Sequence, residues 1–203
     1  MATVAPVLAP PDIRPATSLE GRIVAAALRC IRQWGLAKTT LDDVARQADC
    51  SRATLYRVFP GGKDALLQAV AQSEITRVSR AVTCELDAAG SLGEALAQAM
   101  AVAAGLIADH GALQFLLAHE PETVMPWLAF RHGEELLAFS STVAAPHLAR
   151  WLSPGEARRA GEWAVRIILS FCFCPSPGVD LTDLATARRV VATFMLPGLQ
   201  PDR

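Results

Sequence analysis

Apolar residues recur along most of this chain at helical spacing. Ile23, Ala27, Ile31 and Trp34 form one stripe, and Leu41, Val44, Ala45 and Ala48 follow the i, i+3, i+4, i+7 pattern. No period-two alternation persists long enough for a strand, so the pattern predicts an all-α protein. Short polar side chains that can cap a first turn, each answered by an acid three residues on, mark helix starts. These are Thr17 with Glu20, Thr40 with Asp43, Ser91 with Glu94 and Ser153 with Glu156. Pro154 suits a first helical position, where its missing N–H costs nothing. Asp180 with Asp183 is a weaker fifth start, and Pro197-Gly198 stops the last helix. About nine helices result, over 18–34, 40–48, 51–59, 62–88, 91–108, 110–119, 123–150, 154–174 and 180–196. The seventh carries expected kinks at Pro126 and Pro146.

The pattern divides the chain. Residues 1–16 are proline-rich and read as a flexible arm, 17–62 as a three-helix domain, and 63–203 as a larger helical domain. In the middle piece two short amphipathic helices are joined by Asp49-Cys50, and the second turns Leu55 and Phe59 inward. With the first helix packed across them, this is a helix-turn-helix arrangement. The outward face is then Ser51, Arg52, Ala53, Thr54, Tyr56 and Arg57. Arginine can grip guanine O6 and N7 with two bonds, while hydroxyls and tyrosine reach phosphates. The small Ala53 lets the helix approach and can touch a thymine methyl.

Composition narrows the class. With 203 residues and 52% hydrophobic content, the chain buries a core and is not disordered. Residues 1–11 carry no charge, so the positive leader of a secretory signal is missing, and prolines interrupt any signal helix. The longest charge-free stretches, 95–108 and 167–179, fall short of the roughly 18 residues of a membrane span. Five widely spaced cysteines make no disulfide framework. The expectation is a cytoplasmic protein without a membrane partner.

A net charge of −1 alone argues against nucleic acid, yet its distribution reverses the argument. Residues 20–63 hold eight basic and four acidic side chains, a surplus of four positive charges, whereas 64–203 carry a deficit of five. Both lysines, Lys38 and Lys63, and the single tyrosine, Tyr56, lie in the positive segment. Charged helix faces are often only solvated, and spacing alone leaves that alternative open.

The strings Thr39-Thr40-Leu41-Asp42-Asp43-Val44-Ala45, Ser51-Arg52-Ala53-Thr54-Leu55-Tyr56-Arg57-Val58-Phe59-Pro60 and Lys63-Asp64-Ala65-Leu66-Leu67 closely resemble the N-terminal domain of TetR/AcrR-family regulators. The resemblance spans about residues 18–70. It implies that Thr40 touches a phosphate, that Ser51, Arg52, Ala53 and Thr54 approach bases or the groove wall, and that Tyr56 and Arg57 bind backbone. Lys63, at a helix start, is implied to hold a phosphate. Val58 stands where many relatives have Tyr or His, removing one backbone contact, and Gly61-Gly62 lengthens the turn before Lys63 by one residue.

For the remainder the resemblance implies an all-helical domain that dimerises and binds a small, largely hydrophobic molecule, the whole acting as a repressor on a palindromic operator. Helices 154–174 and 180–196 are its expected dimer surface, through Ile167, Phe171 and Cys174 on one and Leu184, Ala187, Val191 and Phe194 on the other. The alternative is that both stripes face only the chain's own core. Candidate ligand-lining residues are Met100, Phe115, Met125, Trp127, Phe130, His132, Phe139 and Trp163, for which plain core is again the alternative. No cofactor is implied, and no metal or catalytic residue is expected. The C-x-C of Cys172 and Cys174 points two ways on a helix, the four histidines lack zinc spacing, and no nucleophile-elbow or phosphate-loop string occurs. A constitutive DNA-binding or interaction protein without ligand control, and more remotely an enzyme, remain the competing classes.

Overall fold

The computed structural model describes residues 18–125 and 133–199. Among these residues the fold is all-α, with ten α-helices and no strand. They are α1 Leu19–Lys38, α2 Leu41–Gln47, α3 Arg52–Val58, α4 Gly62–Ala88, α5 Leu92–Ala108, α6 Gly111–His119, α7 Pro121–Met125, α8 Gly133–Leu148, α9 Pro154–Phe173 and α10 Leu184–Val190. The expected arm, 1–16, lies outside the described residues. No single described helix is long and apolar enough to cross a membrane.

The chain forms two compact units that do not follow chain order. Among the described residues, one contains 18–76 together with 110–125, and the other contains 77–109 and 133–199. The expected larger domain, 63–203, is therefore divided, with α6 and α7 belonging to the same unit as α1, α2 and α3.

In the first unit α1, α2, α3 and the start of α4 surround a core of Ile23, Ala27, Cys30, Val44, Leu55, Phe59 and Leu66. Of the inward positions expected for α2 and α3, Val44, Ala45, Ala48, Leu55 and Phe59 are buried and Leu41 is partly buried. Trp34, the last member of the α1 stripe, is 38% exposed. It sits beside Gly35, where the backbone leaves the helix at φ 81°, ψ 172° before a final turn to Lys38. α6 packs along α1. His110 caps α6 by accepting at Nδ1 from the Leu113 amide (3.0 Å), so its proton sits on Nε2, which faces Glu74 at 3.1 Å.

The second unit is built on α5, α8, α9 and α10 and is rich in small residues, including Ala95, Ala97, Ala103, Ala104, Ala157, Ala160 and Ala187. A Cβ on Gly161 of α9 would meet the Ala144 Cβ at 3.1 Å and the Ser141 Cα at 3.2 Å, so α8 and α9 touch nearly backbone to backbone. Arg150 draws together the carbonyls of Leu86, Asp87 and Ala89 at the end of α4, and its guanidinium stacks 3.9 Å from the centre of the Trp151 ring. These groups close the C-terminus of α4, whose last carbonyls have no partner within the helix.

The caps at Thr40, Ser91 and Ser153 form as expected. Elsewhere boundaries shift for local reasons. The cap of α1 is Ser18 rather than Thr17. Asp180 closes a short turn on Thr182, which leaves Asp183 to cap α10 by accepting from the Thr186 amide, so this helix starts four residues later than expected. After α10 the backbone widens into a π turn over Val191–Met195 and tightens into a 3-10 turn over Leu196–Gly198.

Candidate nucleic-acid interface

α2 starts on a reciprocal cap. The Thr40 hydroxyl accepts from the Asp43 amide, and the Asp43 carboxylate accepts from the Thr40 amide at 3.2 Å. The Thr40 side-chain bond first, and the Arg46 ion pair after it, hold the Asp43 carboxyl below the usual carboxylate range. The turn after α2 passes through Asp49 at φ 54°, a left-handed conformation that a short acidic side chain tolerates. That turn delivers Ser51 as the cap of α3, its hydroxyl accepting from the Thr54 amide at 3.1 Å and lying 2.9 Å from the Thr54 hydroxyl.

α3 presents Arg52, Ala53, Tyr56 and Arg57 to solvent, with Leu55 alone fully buried. Arg52 is not a loose side chain. Its guanidinium lies 3.1 Å from the Asp42 carboxylate on α2 and 5.5 Å from the Tyr56 ring centre. Tyr56 first and Asp42 second raise its already high pKa, so it remains a cation. At side-chain exposures of 63% and 57% the ion pair adds little to stability, but it aims the fork. Asp42, Ala45, Arg46, Cys50 and Arg52 line a shallow open groove beside α3. Asp42 escaped sequence reasoning; an acid ten residues before an exposed arginine, on the preceding helix, was the available signal.

Lys63 is half-buried, and its ammonium donates to the carbonyls of Leu36 and Thr39, both at 2.8 Å. Two of its three donors are thus spent on the protein, leaving one for a phosphate. The longer glycine turn accommodates this, since Gly62 takes φ 67° as α4 begins.

The described ligand candidates belong to both units. Met100 is fully buried in the core of the second unit, whereas Phe115 stacks on His119 in the first at 4.4 Å between ring centres. Met125 and Phe139 are half-buried, and Trp163 is 58% exposed on α9. Trp127, Phe130 and His132 lie outside the described residues. Of the expected dimer residues, Ala187 and Val191 are buried in the core of the second unit. Ile167, Phe171 and Leu184 pack on that core but stay partly open, Cys174 is exposed, and Phe194 is 74% exposed. Helical periodicity gave both stripes the same look; only the three-dimensional packing separates inward from outward members.

Residues 23–70 match the family described as "Bacterial regulatory proteins, tetR family". The chain is 28% identical over 185 residues to an uncharacterised HTH-type transcriptional regulator of Mycobacterium tuberculosis, covering 89% of this chain and 85% of that one. It is 27% identical over 186 residues to the HTH-type transcriptional regulator BetI of Brucella suis, covering 85% and 87%. In three dimensions it is similar to the TetR-family repressor AlkX of a Dietzia species, with a TM-score of 0.68, 23% identity, and coverage of 88% of this chain and 96% of AlkX.

Proposed function

We propose that the chain is a TetR-family, helix-turn-helix, DNA-binding transcriptional regulator, as the family match over residues 23–70 and the full-length relatives support, and that it acts in the cytoplasm as a homodimeric repressor released from its operator by a small hydrophobic molecule. The observation that carries the DNA side is α3, a capped seven-residue helix with one buried anchor and an aimed arginine on its open face. In this reading Arg52 and Ala53 meet base edges, and Ser51, Thr54, Tyr56, Arg57 and Thr40 meet the groove wall and phosphates. Lys63 adds one remaining N–H to a phosphate while holding the end of α1. Asp42 joins the set as the group that orients Arg52.

Trp163 and Phe194 support the dimer, because two large apolar side chains left in water gain about 1.5–3 kcal/mol each when covered. With Ile167 and Phe171 they replace the fuller set expected from periodicity. Two-fold symmetry then sets a pair of α3 helices about 34 Å apart, one turn of DNA, on a palindromic site. A ligand in the second unit acts by favouring a state in which both helices no longer fit together.

Selection of duplexes from a random pool tests this, followed by fluorescence anisotropy at fixed salt and by light scattering. A palindromic winner bound by a dimer, and loosened by some member of an apolar metabolite panel, is expected. Equal affinity for the winner and for random duplex overturns the regulator reading. Tight selective binding that no compound weakens favours a constitutive binder instead.

A further inference from the structure

The link from α1 to α2, residues 36–39, leads directly to Thr40 and is held from both ends. At Gly35 the helix breaks, which leaves the Leu36 and Ala37 amides without partners inside α1. One carboxylate oxygen of Glu120 accepts both, at 3.1 and 3.2 Å, from a position 84 and 83 residues further along the chain. At the other end the Lys63 ammonium takes the Leu36 and Thr39 carbonyls. The buried Thr39 hydroxyl closes the remaining gap by donating to the Gly35 carbonyl at 2.6 Å. An anion on exposed amides and a cation on exposed carbonyls match the polarity of this single turn.

The site is built around the carboxylate. A Cβ on Gly35 would fall 2.0 Å from the other Glu120 oxygen and 3.0 Å from the Phe115 ring, so only glycine admits Glu120 here. Glu120 itself is placed by the end of α6, its amide bonded to the Leu116 carbonyl at 2.8 Å.

We propose that Glu120 is a positioning residue for DNA binding: by capping Leu36 and Ala37 it fixes the link to α2, and with it the placement of the Thr40 contact. α6, outside the DNA-reading helices, thus contributes a group on which operator affinity depends. The inference rests on the DNA-binding role of Thr40 proposed above. Base preference is untouched, because Arg52 and its partners Asp42 and Tyr56 lie elsewhere on α2 and α3.

The test compares Glu120→Ala, Glu120→Gln, Thr40→Ala and the double variants in the full-length protein on the selected duplex. Glu120→Ala is expected to weaken binding on the order of tenfold, with Glu120→Gln recovering part of the loss. The ratio of affinities for the selected duplex and a single-base variant should stay at the wild-type value. Thr40→Ala should cost much less in the Glu120→Ala background than alone, a coupling that a merely structural role does not produce. Hydrogen exchange at the Leu36 and Ala37 amides should speed up in both Glu120 variants. If Glu120→Ala fails to fold, Glu120→Gln and its double variant carry the comparison. Wild-type affinity in a folded Glu120 variant, or strict additivity with Thr40→Ala, overturns the inference while the regulator reading stands. Failure of the wild-type protein to prefer any duplex overturns both.

Discussion

The two units are fastened by different means. In the first, short helices are held at their ends by polar groups: Thr40 and Asp43 on α2, Ser51 on α3, His110 on α6, and Lys63 and Glu120 on the final turn of α1. In the second, Ser91, Ser153 and Asp183 cap α5, α9 and α10 in the same way and Arg150 closes the end of α4, but the contacts between helices run face to face through alanine and glycine. Packing of small residues keeps backbones close over a broad area but tolerates sliding along it. A hydrogen bond at a helix end fixes direction and register to a few tenths of an ångström. Groove reading needs the second kind of accuracy, and in the unit that presents Arg52 such bonds, from Lys63 and Glu120, hold the turn that leads into α2.

The harshest challenge to this contrast is Gly161→Leu in the second unit. With Ala144 and Ser141 already at 3.1 and 3.2 Å from a bare Cβ, the larger side chain should cost at least about 1–3 kcal/mol in urea denaturation. Wild-type stability would show that α8 and α9 are not in close contact. Gly35→Ala challenges the first unit, combining a left-handed backbone with displacement of Glu120. It should cost about 2 kcal/mol and also weaken DNA binding. Gly105→Ala on α5 supplies the opposite sign, because nothing lies within 4 Å and helix propensity alone should stabilise by about 0.5–1 kcal/mol.

Binding sharpens the contrast further. Arg52→Ala should cost about 1–3 kcal/mol on the selected duplex and relax preference at one base, and Asp42→Asn should relax it less. Lys63→Ala should weaken all duplexes alike and also lower stability, since two carbonyls lose their donor. Equal losses on selected and random DNA would remove Arg52 from base reading.

The smallest effect is in acid. Asp43 and Asp183 both sit below the ordinary carboxylate range, each held chiefly by its bonds to a threonine, Thr40 and Thr186. A carboxyl whose folded pKa is lowered stabilises above its unfolded pKa and loses that contribution as pH falls through the folded one. Amide exchange in α2 and α10 should therefore rise together below the usual carboxylate titration. Asp43→Asn should remove the pH dependence from α2 alone.

What could be read from the chain and what could not follow from sequence separation. The caps at Thr40, Ser91 and Ser153 and the inward Leu55 and Phe59 involve neighbours within one or two turns, so short strings carry them. The family strings did the same for the open face of α3. Glu120 acts across more than eighty residues, and nothing local marks it beyond a glycine at the end of an apolar stripe. Trp34 shows the same limit, since the stripe places it inward and it is 38% exposed, one residue before the break at Gly35. In the second unit, periodicity put Ala187 and Val191 on the same footing as Phe194, because a helix stripe looks alike whether it faces its own core or a second copy.

The membership of residues 110–125 in the first unit has a consequence for exchanging parts between such regulators. A chimaera cut once, near residue 62 or 76, transfers Gly35 and its two amides but leaves Glu120 and Phe115 behind. The graft then carries a glycine shaped for a carboxylate that the recipient does not provide. A transplant that keeps this pairing needs a two-piece cassette, residues 18–76 and 110–125.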